Sequence, residues 1–87
     1  MGTVNRAPTY PETASAQANQ PDYWQNKGYG SCTKIEYSAG SVWTLGAPAS
    51  ALILKSGTIN DVWEGPAAGM YGTASSKDIS HVIVCVK

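Results

Sequence analysis

Apolar and polar residues alternate in short runs from residue 31 to the end of the chain, and Gly, Ser and Pro separate the runs. Alternation with a period of two indicates β-strands, because successive side chains of a strand point to opposite faces. Six runs fit this pattern: CTKIEYS (32–38), VWTL (42–45), ALILK (51–55), INDVWE (59–64), MYGTA (70–74) and ISHVIVCVK (79–87). Together they predict an all-β fold, a small antiparallel β-sandwich or barrel of about six strands.

For two of these runs, the sequence also predicts which faces of the strand are buried. Residues 51–55 are almost continuously apolar, which is typical of a central strand buried on both faces. In the last run, Val82, Val84 and Val86 share one face, which we expect to be the core side. His81, the only histidine, lies on the other face, where we expect a solvent-exposed position.

Residues 1–30 have a different character. Pro8, Pro11 and Pro21 push the residues before them toward extended conformations. The stretch ETASAQANQ could form a helical turn or two, but it has no apolar stripe to bury. We therefore predict two parts, an extended N-terminal arm (1–30) and a β domain (31–87).

The aromatic residues divide between these two parts. Tyr10, Tyr23, Trp24 and Tyr29 belong to the arm, where they are candidate anchors for a protein partner. The alternative is that some of them fold back and cover an edge of the β domain. In the β domain, Trp63 shares its face with an aspartate and is a candidate ligand-binding residue, although it could equally belong to the core.

Charge and hydropathy exclude several kinds of partner. Six basic and six acidic residues are scattered singly and give zero net charge, so no basic stripe for nucleic acid is present. No apolar stretch approaches the roughly 20 residues needed to cross a bilayer. The first 30 residues lack the apolar core of a signal peptide, so we expect synthesis in a cytoplasm.

The two cysteines stand near the two ends of the predicted β domain. Cys32 and Cys85 would face each other if the first and last strands were neighbours, and a disulfide would then close a long loop. The alternative is two reduced thiols, which a cytoplasmic origin would favour. Four positions separate His81 from Cys85 along one strand, which is too far for a nucleophile–base pair. We assign no catalytic residue, metal site or cofactor.

Three stretches, CTKIEYSAGSVWTL, LILKSGT and KDISHVIVC, resemble a small β module of actinobacterial exported proteins and actinobacteriophages. The matching residues are Cys32, Lys34, Ile35, Glu36, Leu54, Lys55, Gly57, Trp63, Asp78, Ile79, Ser80, His81, Ile83 and Cys85. The resemblance implies a disulfide-capable, non-enzymatic β domain. It carries over no catalytic residue, and it leaves the arm uncovered.

Two functions remain in competition. The preferred hypothesis is a structural protein of a bacteriophage virion surface, of the capsid decoration type, made in the host cytoplasm. Its arm would dock on a protein lattice such as a major capsid protein, or the chain would associate with itself. The alternative is an extracellular β module that binds a glycan or a cell surface. Neither hypothesis involves nucleic acid, a membrane or an enzymatic reaction.

Overall fold

The fold consists of two β-sheets and a short helical segment, and the computed structural model describes residues 3–87. The strands are β1 (Val4–Asn5), β2 (Tyr10–Thr13), β3 (Ser31–Glu36), β4 (Val42–Leu45), β5 (Ala51–Ser56), β6 (Ile59–Glu64), β7 (Gly69–Gly72) and β8 (His81–Val86). Between β2 and β3 lie a 3₁₀ turn (Gln17–Asn19), the one-turn helix α1 (Pro21–Trp24) and a wider helical turn (Gln25–Tyr29). None of the helices within residues 3–87 has the length and apolar character needed to cross a membrane.

The strands form a five-stranded and a three-stranded sheet that pack against each other. The larger sheet is antiparallel throughout, in the order β2-β6-β5-β8-β3. The smaller has the order β1-β7-β4, with β1 parallel to β7. The expectation of a small all-β sandwich is therefore met in outline, but the smaller sheet is mixed rather than antiparallel. The described residues form eight strands rather than about six, because the N-terminal segment adds one outer strand to each sheet.

The core between the two sheets is aliphatic and aromatic. Its buried members are Leu45, Leu52, Leu54, Trp63, Tyr71, Ile79 and Val82. Trp63 is only 4% exposed, and its ring meets the edge of the Tyr71 ring at a centroid distance of 5.3 Å. Of the two alternatives left open for Trp63, the structure shows the buried one. This side chain offers no exposed platform to a ligand.

The other face of the five-stranded sheet is covered by the N-terminal segment. Ala18 and Trp24 are fully buried there, and they pack on a cluster formed by Cys32, Ala51, Ile53, Val62, Ile83 and Cys85. Strand β5 is thus central and buried on both faces, as its apolar sequence predicts. The N-terminal segment is therefore not an arm separate from the core, because one indole, one alanine and three partly buried tyrosines cover a sheet face without a periodic stripe.

Strand β8 has its predicted orientation, with Val82 and Val84 toward the core between the sheets, but its other face is covered as well. Val82 is buried as expected, but Val86, at the end of the strand, is 49% exposed. His81 is only 5% exposed, so the expectation of a surface histidine is wrong. Both faces of β8 are covered because it lies next to the central strand, and alternation alone cannot predict that second layer. Burial, followed by the positive charges of Lys34 and Lys55, lowers the pKa of His81.

The first and last strands of the predicted β domain are neighbours, and their cysteines are bonded. Cys32 lies directly opposite Cys85 in the antiparallel register, and a disulfide joins residues 53 positions apart. The bridge lies under the helical segment, where Cys85 is fully buried. Gly30 lies just before β3 and has φ 99°, and a Cβ at that position would collide with the carbonyl oxygen of Val86. Glycine is therefore required where the chain enters β3.

Removal of the disulfide is expected to destabilise the protein strongly. Closing a loop of this length contributes about 4 kcal/mol in the chain-entropy model, which is a large part of the stability of a small domain. The measurement is chemical unfolding of the oxidised protein and of Cys32→Ser/Cys85→Ser, each after mass analysis of alkylated thiols. Equal stability of the two proteins would contradict this account, as would free thiols in protein recovered from an oxidising source.

Candidate functional site

The four aromatic residues predicted to anchor a partner come together on the five-stranded sheet. The ring of Tyr23 meets the edge of the Trp24 ring at a centroid distance of 5.0 Å, and Tyr29 stacks on Trp24 at 6.4 Å. The hydroxyl groups of Tyr10 and Tyr29 are 3.0 Å apart. Only Trp24 is fully buried, and the three tyrosines remain partly exposed. Trp24 therefore serves the core, so at most the tyrosines can contact a partner.

A lysine ammonium holds this aromatic group together. The Nζ atom of Lys27 lies 5.0 Å from the ring centroid of Tyr23, 5.4 Å from that of Trp24 and 5.9 Å from that of Tyr10. It also donates to Glu12 Oε1 at 2.8 Å. Glu12 accepts a second hydrogen bond, from the Tyr23 hydroxyl. A cation near three rings and a carboxylate ties strand β2 to the helical segment.

Tyr29 connects the same group to the rest of the sheet. Its hydroxyl donates to Glu64 Oε2 at 2.6 Å and lies within hydrogen-bonding distance of Tyr10. Its carbonyl oxygen and that of Cys85 both lie within hydrogen-bonding distance of the Ser50 hydroxyl, whose single proton they share. The end of the helical turn is thereby fixed to β6 and to the disulfide strand. The N-terminal segment is consequently an integral layer of the fold.

Three groups in this layer hold their protons more tightly than in an unfolded chain. Burial, followed by the hydrogen bond to Glu64, raises the pKa of Tyr29. The hydrogen bond to the Glu12 carboxylate raises the pKa of Tyr23 and also that of Lys27. At neutral pH the two tyrosines are therefore hydroxyl donors and Lys27 is an ammonium ion, which is the state that these contacts require.

The outer side of this layer carries a shallow, polar depression. The depression has a volume of about 450 Å³ and is lined by Gln17, Gln20, Asp22, Tyr23 and Asn26. Amide side chains both donate and accept hydrogen bonds, and a tyrosine ring adds apolar contact area. We call this surface the amide face. The sequence predicted the aromatic residue in it but not the amides, which carry no pattern of their own.

A polar row crosses the same side of the sheet and was not predicted. Glu12, Asn60, Lys55, His81 and Glu36 are paired strand by strand in one register. Asn60 is fully buried, and neither its amide group nor His81 Nε2 has a hydrogen-bond partner among residues 3–87. Aligned polar positions on five strands would have revealed the row, but only once the strand order was known.

The arrangement limits the chemistry available to the cysteines. Cys32 and Cys85 are oxidised, so neither can act as a thiolate nucleophile in this state. Among residues 3–87, no three His, Cys, Asp or Glu side chains are grouped as metal ligands. Comparison with protein-family models, with curated proteins and with solved structures finds no match.

Trp24→Ala is expected to cost about 3–5 kcal/mol of unfolding free energy, because a fully buried indole leaves a large cavity. Trp43→Ala is the matched control, because Trp43 is only partly buried between the sheets. Denaturant unfolding should show the larger loss for Trp24→Ala. A smaller loss than in the control would contradict the placement of Trp24 in the core.

Alkaline pH is expected to weaken the N-terminal layer. The unfolded chain releases the tyrosine protons near pH 10.0, before the folded protein does, so the free energy of unfolding should fall as pH rises above that value. Tyr29→Phe should be less stable than the wild type by about 1 kcal/mol at pH 7, and this difference should shrink as pH rises. Stability curves that remain parallel from pH 7 into the alkaline range would contradict this role of Tyr29.

Proposed function

We propose that this protein is a non-enzymatic structural protein of a bacteriophage virion surface, of the capsid decoration type. It attaches to a protein lattice, such as that of a major capsid protein, through the amide face of its N-terminal segment. The observation that carries the proposal is this outward face, which rests on a layer fixed by Trp24, Lys27 and the disulfide strand. The resemblance of the β domain to actinobacteriophage modules supports the virion assignment.

A pre-ordered face favours attachment more than a free arm does. A flexible segment of 30 residues must be ordered when it docks, and this loss of conformational freedom opposes binding. Here the fold itself has already ordered the segment. Tyr23 is partly buried with its hydroxyl bonded to Glu12, so its ring is held at the amide face as a rigid contact. Tyrosine in such a position is a common interface anchor.

The sheet edges support contact through side chains rather than through an added strand. Strand β2 forms an outer edge of the five-stranded sheet and contains Pro11, which has no N–H to donate. At the opposite edge, β3 carries the charged residues Lys34 and Glu36. Proline and charged residues at edges disfavour pairing with another chain. Attachment through the amide face leaves both edges as they are.

The disulfide is consistent with a protein that functions outside the cytoplasm. The proposal therefore places synthesis in the host cytoplasm and function on particles that lysis releases into an oxidising environment. The glycan-binding alternative relied on an exposed Trp63 ring, and this ring is buried between the sheets.

Asn26→Arg tests the attachment. This exposed residue lines the amide face, and an arginine there should obstruct a fitted interface without disturbing the core. Ser38→Arg, at an exposed loop position between β3 and β4, is the matched control. Co-sedimentation with particles assembled without the protein should show at least about tenfold weaker binding for Asn26→Arg, equivalent to 1.4 kcal/mol.

The outcomes separate attachment from self-association and from misfolding. Both variants should melt near the wild-type temperature, and size measurement of the free protein shows whether it associates with itself. Deletion of residues 1–30 is not a usable test, because it removes Trp24 from the core. Equal sedimentation of Asn26→Arg and Ser38→Arg, or no sedimentation of the wild type, would refute the proposed attachment.

A further inference from the structure

A second cavity, of about 370 Å³, lies beside the turn that joins β5 to β6. Its walls come from that turn, from strand β2 and from the loop between β7 and β8. It shares no lining residue with the amide face. Its volume falls within the range of small-molecule sites in proteins.

Two buried polar side chains line this cavity with unused hydrogen-bonding capacity. Asp61 is 3% exposed, and its Oδ2 accepts one hydrogen bond, from the backbone N–H of Ala74 at 3.0 Å. A carboxylate accepts several hydrogen bonds, so Asp61 retains capacity for a ligand. Ser56 is 2% exposed, and its hydroxyl has no hydrogen-bond partner in the part of the chain that the structure describes. Burying such groups without partners costs free energy, which a ligand's polar groups would recover.

The rest of the wall combines an apolar surface with a strained loop. Ile59 is 38% exposed, one of two large apolar side chains at the surface of the described chain, and it lines the cavity with Pro11. Ser76 has φ 63°, and it is the only residue other than glycine with a positive φ within residues 3–87. It lies between Ser75 and Lys77, which both line the cavity. Such strain is concentrated at binding sites, where the surrounding structure maintains it.

The chemistry of the wall selects one class of ligand. A cation would meet the ammonium of Lys77, and an anion would meet the carboxylate of Asp61. A wholly apolar ligand would leave the Ser56 hydroxyl without a partner and Asp61 with only the N–H of Ala74. A sugar ring fits all parts of the wall, because its hydroxyl groups donate and accept while its C–H face packs on aliphatic side chains.

We infer that this cavity binds a saccharide. Asp61 accepts hydrogen bonds from ring hydroxyls, Ser56 and Lys77 donate to sugar oxygens, and Ile59 with Pro11 contacts the C–H face. The inference does not rest on virion attachment, since the two surfaces have different residues. Refutation of virion attachment would leave saccharide binding untouched, and the reverse also holds.

The test is NMR titration of ¹⁵N-labelled full-length protein with four methyl glycosides, those of glucose, mannose, galactose and N-acetylglucosamine. At least one should shift the backbone amide signal of Ala74, which bonds to Asp61, and leave the Trp24 indole signal unchanged. Ser56→Ala should raise the dissociation constant about fivefold, and Asp61→Asn at least about tenfold. Ser31→Ala, at an exposed position of β3 on the opposite edge of the sheet, should bind like the wild type.

Stability separates a binding role from a structural one. The Ser56 hydroxyl bonds to none of the described residues, so Ser56→Ala should melt at the wild-type temperature or above it while binding more weakly. Asp61→Asn retains an oxygen that can accept from Ala74, so it should remain folded. Titrations without a localised shift for all four glycosides would overturn the inference. Wild-type affinity in both Ser56→Ala and Asp61→Asn would overturn it as well.

Discussion

The fold depends on one constraint, which is that strand β5 presents apolar side chains to both faces of its sheet. Ile53 points to one side and Leu52 and Leu54 to the other, and all three are fully buried. The three-stranded sheet covers only one face of the five-stranded sheet, so the other face needs a further cover. The chain therefore builds three layers from 87 residues, with the N-terminal segment as the third. For so small a protein, that extra layer substantially increases the apolar area removed from water.

Much of the sandwich could be predicted from the sequence because alternation is a local signal. All six runs from residue 31 onward correspond to strands, and the continuous apolar run 51–55 identified the central one. The pairing of Cys32 with Cys85 followed from placing the first strand of the β domain next to the last. The third layer left no such signal. Its main contribution is the single side chain of Trp24, and its remaining contacts are polar bonds with no period.

The candidate sites show the same division between local and long-range information. Tyr10, Tyr23 and Tyr29 stand out by composition, and the structure does bring them together, but Lys27 and Glu12 join them only through the fold. The cavity proposed to bind a saccharide is lined by Ser56, Asp61 and Lys77, which belong to three different elements. In the hydrophobic pattern of the sequence, each of these three residues is an ordinary polar position with no sign of a shared site. Only strand order and loop placement bring them to one cavity.

The position of the disulfide beneath the helical layer also governs its reaction kinetics. A thiol must approach a sulfur atom directly to reduce the bond, and Cys85 is fully covered while Cys32 is nearly so. Attack therefore waits for the layer that carries Trp24 to open, so the reduction rate reports that opening rather than the intrinsic reactivity of the sulfurs. The same shielding applies to formation of the bond. An oxidant must reach both thiols, so oxidation of the folded, reduced protein also requires this layer to open.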